Sequence, residues 1–436
     1  MAENPSQRDD GSKIPILSWI VDVRRGEIVA MLVSAVWIFL AMSAYYIIKP
    51  IRGQVLQELI GVDNKPKALV ATTIFVGFFA YGYGKIVQYV ARTKLIVGTY
   101  IVFLACIGAF AVLLPSGGPI TGYVFFVWVS TFSVMIVSQF WALEADVWTK
   151  EEGARLFGFI GLGTVSGGFA GTTLTKFAKE LPTWQMLVIS AGMLGVCLLL
   201  SLVILRFGSH KSRPAEPKNE SAEKEPEVNA IAMVLGSPYL RLIAAMTLIL
   251  NLVNSNNEWI LDKLFSTHGD GDSRTFYADF YLWTNIIAAV VQFFLTGRIQ
   301  RRFGARVALL FLPLVGALGG SAFLLIPTLA IIRATKIAEN ATDYSIQSNT
   351  REFLYLPTTK VEKYAAKNVN DTFVVRIGDL LAAGSIEVAK ILLASFPGAG
   401  LRLLVGADIV LAVVWIAVVL RIGAENKKLM EARGKA

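Results

Sequence analysis

Ionisable and amide side chains are concentrated in one helix-length stretch, residues 336–352, of a chain that is otherwise strongly apolar. In an α-helix, with about 100° between successive residues, five of these side chains share one face. They are Lys336, Glu339, Asp343, Gln347 and Thr350, and we name them the polar stripe. A charge at bilayer depth costs several kcal/mol, so it usually faces a partner or a water-filled cavity and marks a solute path. The polar stripe therefore predicts a transporter; the alternative is a structural ion network in which Lys336 and the two acids neutralise one another.

The composition places this stripe in a membrane protein. Hydrophobic residues make up 55% of the 436 positions and charged residues 17%, and the mean hydropathy is +0.58. Apolar runs of about 20 residues, long enough to span a bilayer, occur twelve times. They lie at about 27–48, 66–91, 95–114, 119–147, 154–177, 184–206, 238–262, 276–297, 305–325, 326–350, 368–393 and 402–421. We expect an all-α polytopic membrane protein whose first span is retained, since no cleavage site follows it.

The basic residues predict the orientation of these spans. Lys and Arg are dense in alternate connections, whereas the connections at 115–119, 326–327 and 396–400 carry none. The exceptions are Lys49, Arg52, Lys65 and Lys67 in the first outer loop and Lys176 and Lys179 after the fifth span. By the positive-inside rule both termini are cytoplasmic, and we expect the inner membrane of a bacterium. This bias accounts for most of the net charge of +9 and argues against a nucleic-acid partner.

A polar segment divides the chain into two sets of six spans. Residues 208–229 are rich in Pro, Lys and Glu and lack large apolar side chains, which is typical of a solvated linker. We therefore predict an N-terminal bundle (1–206), a cytoplasmic linker (207–236) and a C-terminal bundle (237–436). Two six-helix repeats of this kind are the arrangement of the major facilitator superfamily.

Two hairpins retain traces of the duplication. EADVWTKEEGAR (Glu144–Arg155) aligns with EFLYLPTTKVEK (Glu352–Lys363), with an acid at the start and a base eleven residues later. An accidental resemblance between amphipathic hairpins is the alternative. The hairpin acids and their neighbours are expected to serve gating, and they are Glu144, Asp146, Arg351 and Glu352.

Further polar side chains interrupt the other spans. Gln139 in the fourth span is more polar than packing requires. Asn257 and Glu258 lie within the seventh span. Asp262 and Lys263 are expected to form the interfacial end of that span. Arg376 in the eleventh span is always charged and suits a phosphate or carboxylate. Its neighbours Asp371 and Asp379 require partners. Lys49 and Arg52 follow the first span; Arg52 is expected to snorkel to the headgroups, and for Lys49 snorkelling is the alternative to a site role.

The remaining reactive residue types do not indicate catalysis. Cys106 and Cys197 fall within apolar spans, where they are expected to pack, and His210 and His268 lie outside the spans. No metal-binding, phosphate-loop or nucleophile pattern occurs. We expect no enzyme, no metal and no cofactor, and a monomer in the lipid bilayer.

Glycines at four-residue spacing mark the fifth span. Gly163, Gly167 and Gly171 share one helix face, which predicts close contact with another helix. Close packing alone explains the spacing, although it loosely resembles the glycine motif of facilitator antiporters.

SQFWALEADVWTKEEGARLFGFIGLG (Ser138–Gly163) and DYSIQSNTREFLYLPTTKVEKYAAKNVND (Asp343–Asp371) resemble two hairpins of the ATP/ADP translocase family of plastids and intracellular bacteria. The resemblance implies a twelve-helix nucleotide transporter, related to the facilitator fold, with a cavity at the interface of its halves. The family's first-helix lysine matches Lys49 and its seventh-helix glutamate matches Glu258. Its fourth-helix glutamate falls near Val129, and its eleventh-helix lysine falls at Asp379 with the charge reversed.

Three hypotheses follow. The first is transport of a nucleotide, by exchange or by proton-coupled uptake, and the second is transport of another organic anion or small solute. The third is a non-transporting membrane protein on the same scaffold, for which the lost charges at Val129 and Asp379 argue. Under the first, the expected solute contacts are Lys49, Gln139, Asn257, Glu258, Lys336, Asp343, Gln347 and Arg376. The expected coupling or gating residues are Glu144, Asp146, Glu339, Arg351, Glu352, Asp371 and Asp379.

Overall fold

The computed structural model describes residues 23–210, 230–396 and 399–434, and the regular structure in these ranges is helical. The earlier helices are α1 (Ile28–Val55), α2 (Lys65–Tyr89), α3 (Arg92–Leu113), α4 (Pro119–Val147), α5 (Lys150–Phe177) and α6 (Thr183–His210). The later helices are α7 (Ala230–Gly236), α8 (Pro238–His268), α9 (Ser273–Val291), α10 (Gly297–Leu325), α11 (Leu329–Thr342), α12 (Ser348–Leu354), α13 (Lys360–Val369), α14 (Val375–Ser395) and α15 (Gly400–Gly434). Most of the predicted linker lies outside the described residues.

Single π-helical turns interrupt or extend several of these helices. They lie at Leu56–Ile60, Gln292–Thr296, Asp343–Gln347 and Asn370–Val374. The third joins α11 to α12 and the fourth joins α13 to α14, so each pair is a continuous helical rod. Turns of the π type are rare in proteins, but those that occur often lie at functional sites. One lies within the polar stripe and the other just before Arg376, so both rods are candidates for a functional role.

Eight helical segments of the described chain have the length and composition needed to cross a membrane. They are Ile28–Ile60, Val62–Tyr89, Thr93–Leu113, Pro119–Val147, Thr183–Leu205, Pro238–His268, Ser273–Leu325 and Gly400–Glu431. The long segment Ser273–Leu325 covers two predicted spans and breaks at Gly304, whose φ is +76°. The predicted spans at 154–177, 326–350 and 368–393 are not among the eight, since glycines and charges dilute their apolar content. The membrane helices are thus confirmed, while the count of twelve stays a prediction.

Contacts group the described residues into two compact units. The first draws on Met1–Ile51, Lys85–Ser116 and Trp128–Pro217, and the second on Arg52–Gly84, Gly117–Val127 and Lys218–Ala436. The end of α1, most of α2 and the start of α4 therefore pack in the same unit as α8–α15. The predicted division into two linear six-helix repeats stays a prediction.

Close helix contact holds α1 against α5 in the first unit. A Cβ added at Gly163 would lie 2.5 Å from the carbonyl oxygen of Ala35, and one at Gly167 or Gly171 would overlap the next carbonyl oxygens along α1. The Ser43 hydroxyl donates to the Gly167 carbonyl oxygen at 3.1 Å. The predicted role of this glycine spacing in helix packing is confirmed.

Helices α8, α10, α14 and α15 build the core of the second unit, with α11 packed on α8 and α10. Its buried apolar side chains include Ile243, Met246, Leu309 and Trp415. Helix α8 begins sharply because Pro238 occupies its first turn and the Ser237 hydroxyl accepts from the Leu240 amide. This core holds in place the polar faces of α8, α11, α14 and α15.

Candidate functional site

The polar stripe, which runs from α11 through the π turn into α12, faces the interior of the second unit. Lys336, Glu339 and Gln347 are at most 5% exposed, and Thr350 is fully buried. Lys336 Nζ lies 3.4 Å from Glu339 Oε2 and donates to Asn254 of α8, at 2.5 Å to Oδ1 and 3.1 Å to the backbone oxygen. Asn257 Nδ2 donates to Glu339 Oε1 at 2.9 Å. The stripe is thus an interior face whose charges are bound by amides of α8, and its place on a solute path stays a prediction.

Asp343 extends this network beside a small cavity. The cavity, about 20 Å³ in volume and large enough for one water molecule, is lined by Asn254, Glu339, Asp343 and Trp415 together with apolar residues of α8, α10 and α15. Asp343 Oδ1 and the Trp415 indole nitrogen are buried without hydrogen-bond partners among the described residues. Gln347, expected to contact solute, is instead fully buried, and its amide meets Met246 Sδ at 3.9 Å.

Arg376 and Asp379 form a second polar pair, on α14. Arg376 Nη1 lies 3.0 Å from Asp379 Oδ2, and Ser255 of α8 donates to Asp379 Oδ1 at 3.1 Å. The guanidinium is 21% exposed. The predicted need of Asp379 for a partner is met by Arg376 itself. Asp371 is exposed in the π turn that precedes α14.

A third polar group, the Lys65 cluster, consists of Lys65, Asp262, Tyr277 and Gln57. Lys65 Nζ lies 2.6 Å from Asp262 Oδ2, and the Tyr277 hydroxyl donates to Asp262 Oδ1 at 2.5 Å. Gln57 Nε2 donates to the Tyr277 hydroxyl at 2.9 Å and to the Asp262 backbone oxygen at 3.0 Å. Glu258, which the resemblance matched to the family's seventh-helix glutamate, has its Oε2 3.4 Å from Lys65 Nζ and is 33% exposed.

The Lys65 cluster corrects two expectations. Asp262 was expected at the interfacial end of its span, but it is 1% exposed because Lys65 and Tyr277 enclose it. Lys65 was assigned to an outer loop, yet it begins α2 and is equally buried. Lys263, the neighbour of Asp262, does lie at the surface, paired with Asp63 at 2.7 Å.

The basic residues at the end of α1 are held by aromatic rings. Arg52 was expected to snorkel, but its guanidinium lies 4.0 Å from the centre of the Phe126 ring, and its Nε is buried without a hydrogen-bond partner among the described residues. Lys49 belongs to the first unit, with Nζ 5.6 and 5.2 Å from the ring centres of Tyr45 and Tyr46. Ring faces attract cations, so both side chains are positioned by packing as well as by charge.

The predicted site residues of α4 lie in the first unit. Glu144 is fully buried and accepts from the Trp148 indole at 2.7 Å; Gln139 is also buried, and Asp146 is exposed. Nearby, Arg155 forms two hydrogen bonds to Glu27, at 2.8 and 3.1 Å. Burial would raise the pKa of Glu27, but Arg155 and the Arg24 backbone amide hold that pKa below its ordinary value.

The two repeated hairpins share a helix cap and differ in their charges. Thr149 caps α5 with Glu152 in a reciprocal capping box, and Thr359 caps α13 with Glu362 in the same way. These caps align at a spacing of 210 residues, two more than the register inferred from the charges.

The charged ends of the hairpins are not equivalent. Glu352, aligned with the buried Glu144, is half-exposed and pairs with Lys367 at 2.6 Å, because it lies opposite the polar stripe. Arg351 attracts both Asp343 and Asp371 electrostatically. The surroundings of Glu144 and Glu352 therefore differ, and their role as gating acids stays a prediction.

Two polar groups of the structure were not predicted from the sequence. The Lys65 cluster was missed because Lys65 appeared to be one of several loop bases. The other is Asp408, a single acid in the apolar run of α15, which is 4% exposed and bound by Asn256 Nδ2 at 2.8 Å. Its isolation among apolar residues was the available signal. In the described ranges no three His, Cys, Asp or Glu side chains are arranged to hold a metal ion.

Comparison with known proteins shows similarity to membrane transporters. Residues 145–335 match the model of the Major Facilitator Superfamily. The ADP,ATP carrier protein 1 of Chlamydia trachomatis is 22% identical over 289 residues, which are 56% of this chain and 54% of the carrier. These matches support a divergent, ATP/ADP translocase-like relative of the Major Facilitator Superfamily. It spans about half the length of the curated carriers it matches.

Solved transporters share the fold of this chain. A bacterial homologue of the human lysosomal transporter Spinster has a TM-score of 0.64 at 14% identity, covering 93% of this chain and 99% of its own. The nucleoside transporter NupG has a TM-score of 0.62 at 10% identity, covering 89% and 99%. The prediction of a multi-pass membrane protein is confirmed. The prediction that it is no enzyme agrees with these names, which are those of carriers and transporters.

Proposed function

We propose that this chain is a secondary-active transporter that carries a nucleotide by alternating access, through exchange or proton-coupled uptake. The observation that carries the proposal is the buried Lys336, held by Asn254 and Glu339 on a polar face, in a chain related to proteins named ADP,ATP carriers. Buried charges in membrane helices usually serve a solute path. We place this transporter in a bacterial inner membrane.

Phosphate recognition is assigned to Lys336 and Arg376. A nucleotide di- or triphosphate brings about three to four negative charges, which require cations in a site of low dielectric. Both cations have an acid one helical turn away, at 3.4 and 3.0 Å, which neutralises them when no solute is bound. An entering phosphate group competes with these acids, and Arg376 offers it bidentate geometry. Lys49 is a third candidate, by its match to the family's first-helix lysine.

The test is uptake of labelled ATP or ADP by the purified full chain in liposomes, with and without nucleotide inside. Lys336→Ala and Arg376→Ala are expected to lower uptake at least about tenfold, the effect of losing one charge-assisted contact of ~1.5–3 kcal/mol. Lys428→Ala, at an exposed position of α15 (70% exposed), is the matched control. No saturable flux of any nucleotide, with or without internal counter-substrate, would refute nucleotide transport.

A second candidate function is transport of another small solute, and the acid-rich balance of the site favours it. Asp379 occupies the position of a family lysine and neutralises Arg376, while Glu339 neutralises Lys336. A site so balanced suits a less charged anion or a zwitterion. A thermal-stability screen across metabolite classes separates the two candidates, because a ligand of the native state raises its apparent stability. A partner interaction without any flux would instead favour the non-transporting scaffold.

A further inference from the structure

Asp408 lies at the end of a hydrogen-bond chain that crosses three helices. The Ser385 hydroxyl of α14 donates to Asn256 Oδ1 of α8 at 2.7 Å, and Asn256 Nδ2 donates to Asp408 Oδ1 of α15 at 2.8 Å. Asn256 is thereby oriented with its amide nitrogen toward the acid. Asp408 Oδ2 is buried and has no hydrogen-bond partner in the part of the chain that the structure describes.

This environment disfavours an ionised carboxylate. An ionised Asp accepts at about four lone-pair sites, whereas Asp408 receives one neutral donor. No ion pair to Asp408 occurs among the described residues. A buried charge without a partner costs several kcal/mol, a cost that disappears when the group takes up a proton.

Charges of both signs act on Asp408. Lys336 and Glu339 of α11 both act on it electrostatically, and Lys336 lies close to Glu339. The adjoining turns of α8, α10 and α14 present uncharged groups, which are Asn256, Gly320 and Ser385. With Asp343, which Arg351 also attracts, three buried or half-buried acids lie around two cations. At least one of these acids therefore gains from being neutral.

We propose, on the basis of the proposed transport function, that Asp408 binds the proton that couples solute movement to a pH gradient. The carboxylate gains one proton on the acidic side and releases it on the other side, with no other change in bonding. An anionic solute that engages Lys336 weakens the attraction between this lysine and Asp408, and so raises the affinity of Asp408 for the proton. By linkage the proton raises the affinity for the anion equally, and the two move together.

The test compares wild type, Asp408→Asn and Glu425→Gln, each purified as the full chain and reconstituted into liposomes. Asparagine mimics the protonated acid, while Glu425 is a partly exposed acid on the same helix (38% exposed). In wild type and Glu425→Gln, an inward gradient of one pH unit is expected to drive ATP accumulation up to about tenfold per proton. Asp408→Asn is expected to lose this accumulation but to keep ATP/ADP exchange at equal pH, because exchange requires no deprotonation.

Two outcomes overturn the proposal. One is gradient-driven accumulation that persists in Asp408→Asn; the other is accumulation driven by a Na⁺ gradient and not by protons. If Asp408→Asn does not fold, Asn256→Ala replaces it. Loss of the amide donor destabilises the ionised form, so the pH optimum of uptake should rise, and an unchanged optimum contradicts the proposal.

Failure of the proposed function is recognised separately. If wild type moves neither ATP nor ADP, nucleotide transport is refuted, and infrared spectroscopy of the purified protein still tests the proton site. The carbonyl band of a protonated carboxylic acid should be present in wild type at neutral pH and reduced in Asp408→Asn. An identical band in both proteins overturns the assignment of the proton to Asp408.

Discussion

At the scale of single residues, buried charges of the second unit depend on partners from other helices. Lys65 of α2 meets Asp262 of α8, and Tyr277 of α9 supplies the second hydrogen bond to that acid. Such pairs add little net stability compared with an apolar core, but removal of one member leaves an uncompensated charge. The Lys65 cluster is therefore sensitive to single substitutions.

We expect Lys65→Met to lower the free energy of unfolding by about 3–5 kcal/mol, because Asp262 remains buried without its cation. Thermal unfolding of the purified protein in detergent measures the change. The double variant Lys65→Met/Asp262→Leu should recover much of the loss, and Lys263→Met, at a surface ion pair, should change it little. A single variant as stable as wild type would show that Lys65 and Asp262 are not buried together.

At the scale of helices, contact between α1 and α5 depends on the absence of side chains. The carbonyl oxygens of α1 occupy the space in which a Cβ at Gly163, Gly167 or Gly171 would lie. Gly161 of the same helix has no atom within 4 Å of such a Cβ. This difference provides a matched pair of substitutions within one helix.

Gly167→Ala is expected to destabilise the protein by about 1–3 kcal/mol, since the backbone must shift to admit the methyl group. Gly161→Ala should be neutral or slightly stabilising, because alanine favours the helix by up to about 1 kcal/mol. The apparent unfolding temperatures of the two variants, measured in parallel, check this. Equal temperatures would mean that α1 and α5 do not approach closely.

Helices also show where sequence patterns were sufficient. The spacing of about 100° per residue placed Lys336 and Glu339 on one helix face, and both side chains are buried in the structure. The partners of these charges could not be predicted, since Asn254 and Asn257 belong to another helix and pairing across helices depends on packing. The role of Asp408 could not be predicted for the same reason, because a single acid in an apolar run forms no periodic pattern with other polar residues.

At the scale of the whole molecule, composition predicted the membrane setting, and two hairpin motifs indicated the similarity to ADP,ATP carriers. The compact units could not be predicted, because the assignment of Arg52–Gly84 to the second unit depends on contacts distant in sequence. The predicted topology of twelve spans still has an exact consequence. The connection around Asp270 should lie outside the membrane, and the connection around Thr358 should lie in the cytoplasm.

Cysteine labelling tests this topology. After replacement of Cys106 and Cys197 by Ala, Asp270→Cys in intact cells is expected to react with a membrane-impermeant maleimide, and Thr358→Cys is expected to react only after the cells are opened. Both positions lie in connections between helices, so neither substitution should disturb a span. The same accessibility at both positions would contradict an odd number of spans between them.

The π turn at Asp343–Gln347 has a consequence for comparison with relatives. A π turn holds one residue more than the α-helical turn it replaces, so that a relative with an uninterrupted helix here would be one residue shorter. Aligned without a gap, such a relative would have its residues after this turn rotated by about 100° relative to those of this chain. Arg351 and Glu352 would then be compared with residues that face elsewhere. For this rod, the direction in which side chains point is a safer guide to equivalence than their order in the sequence.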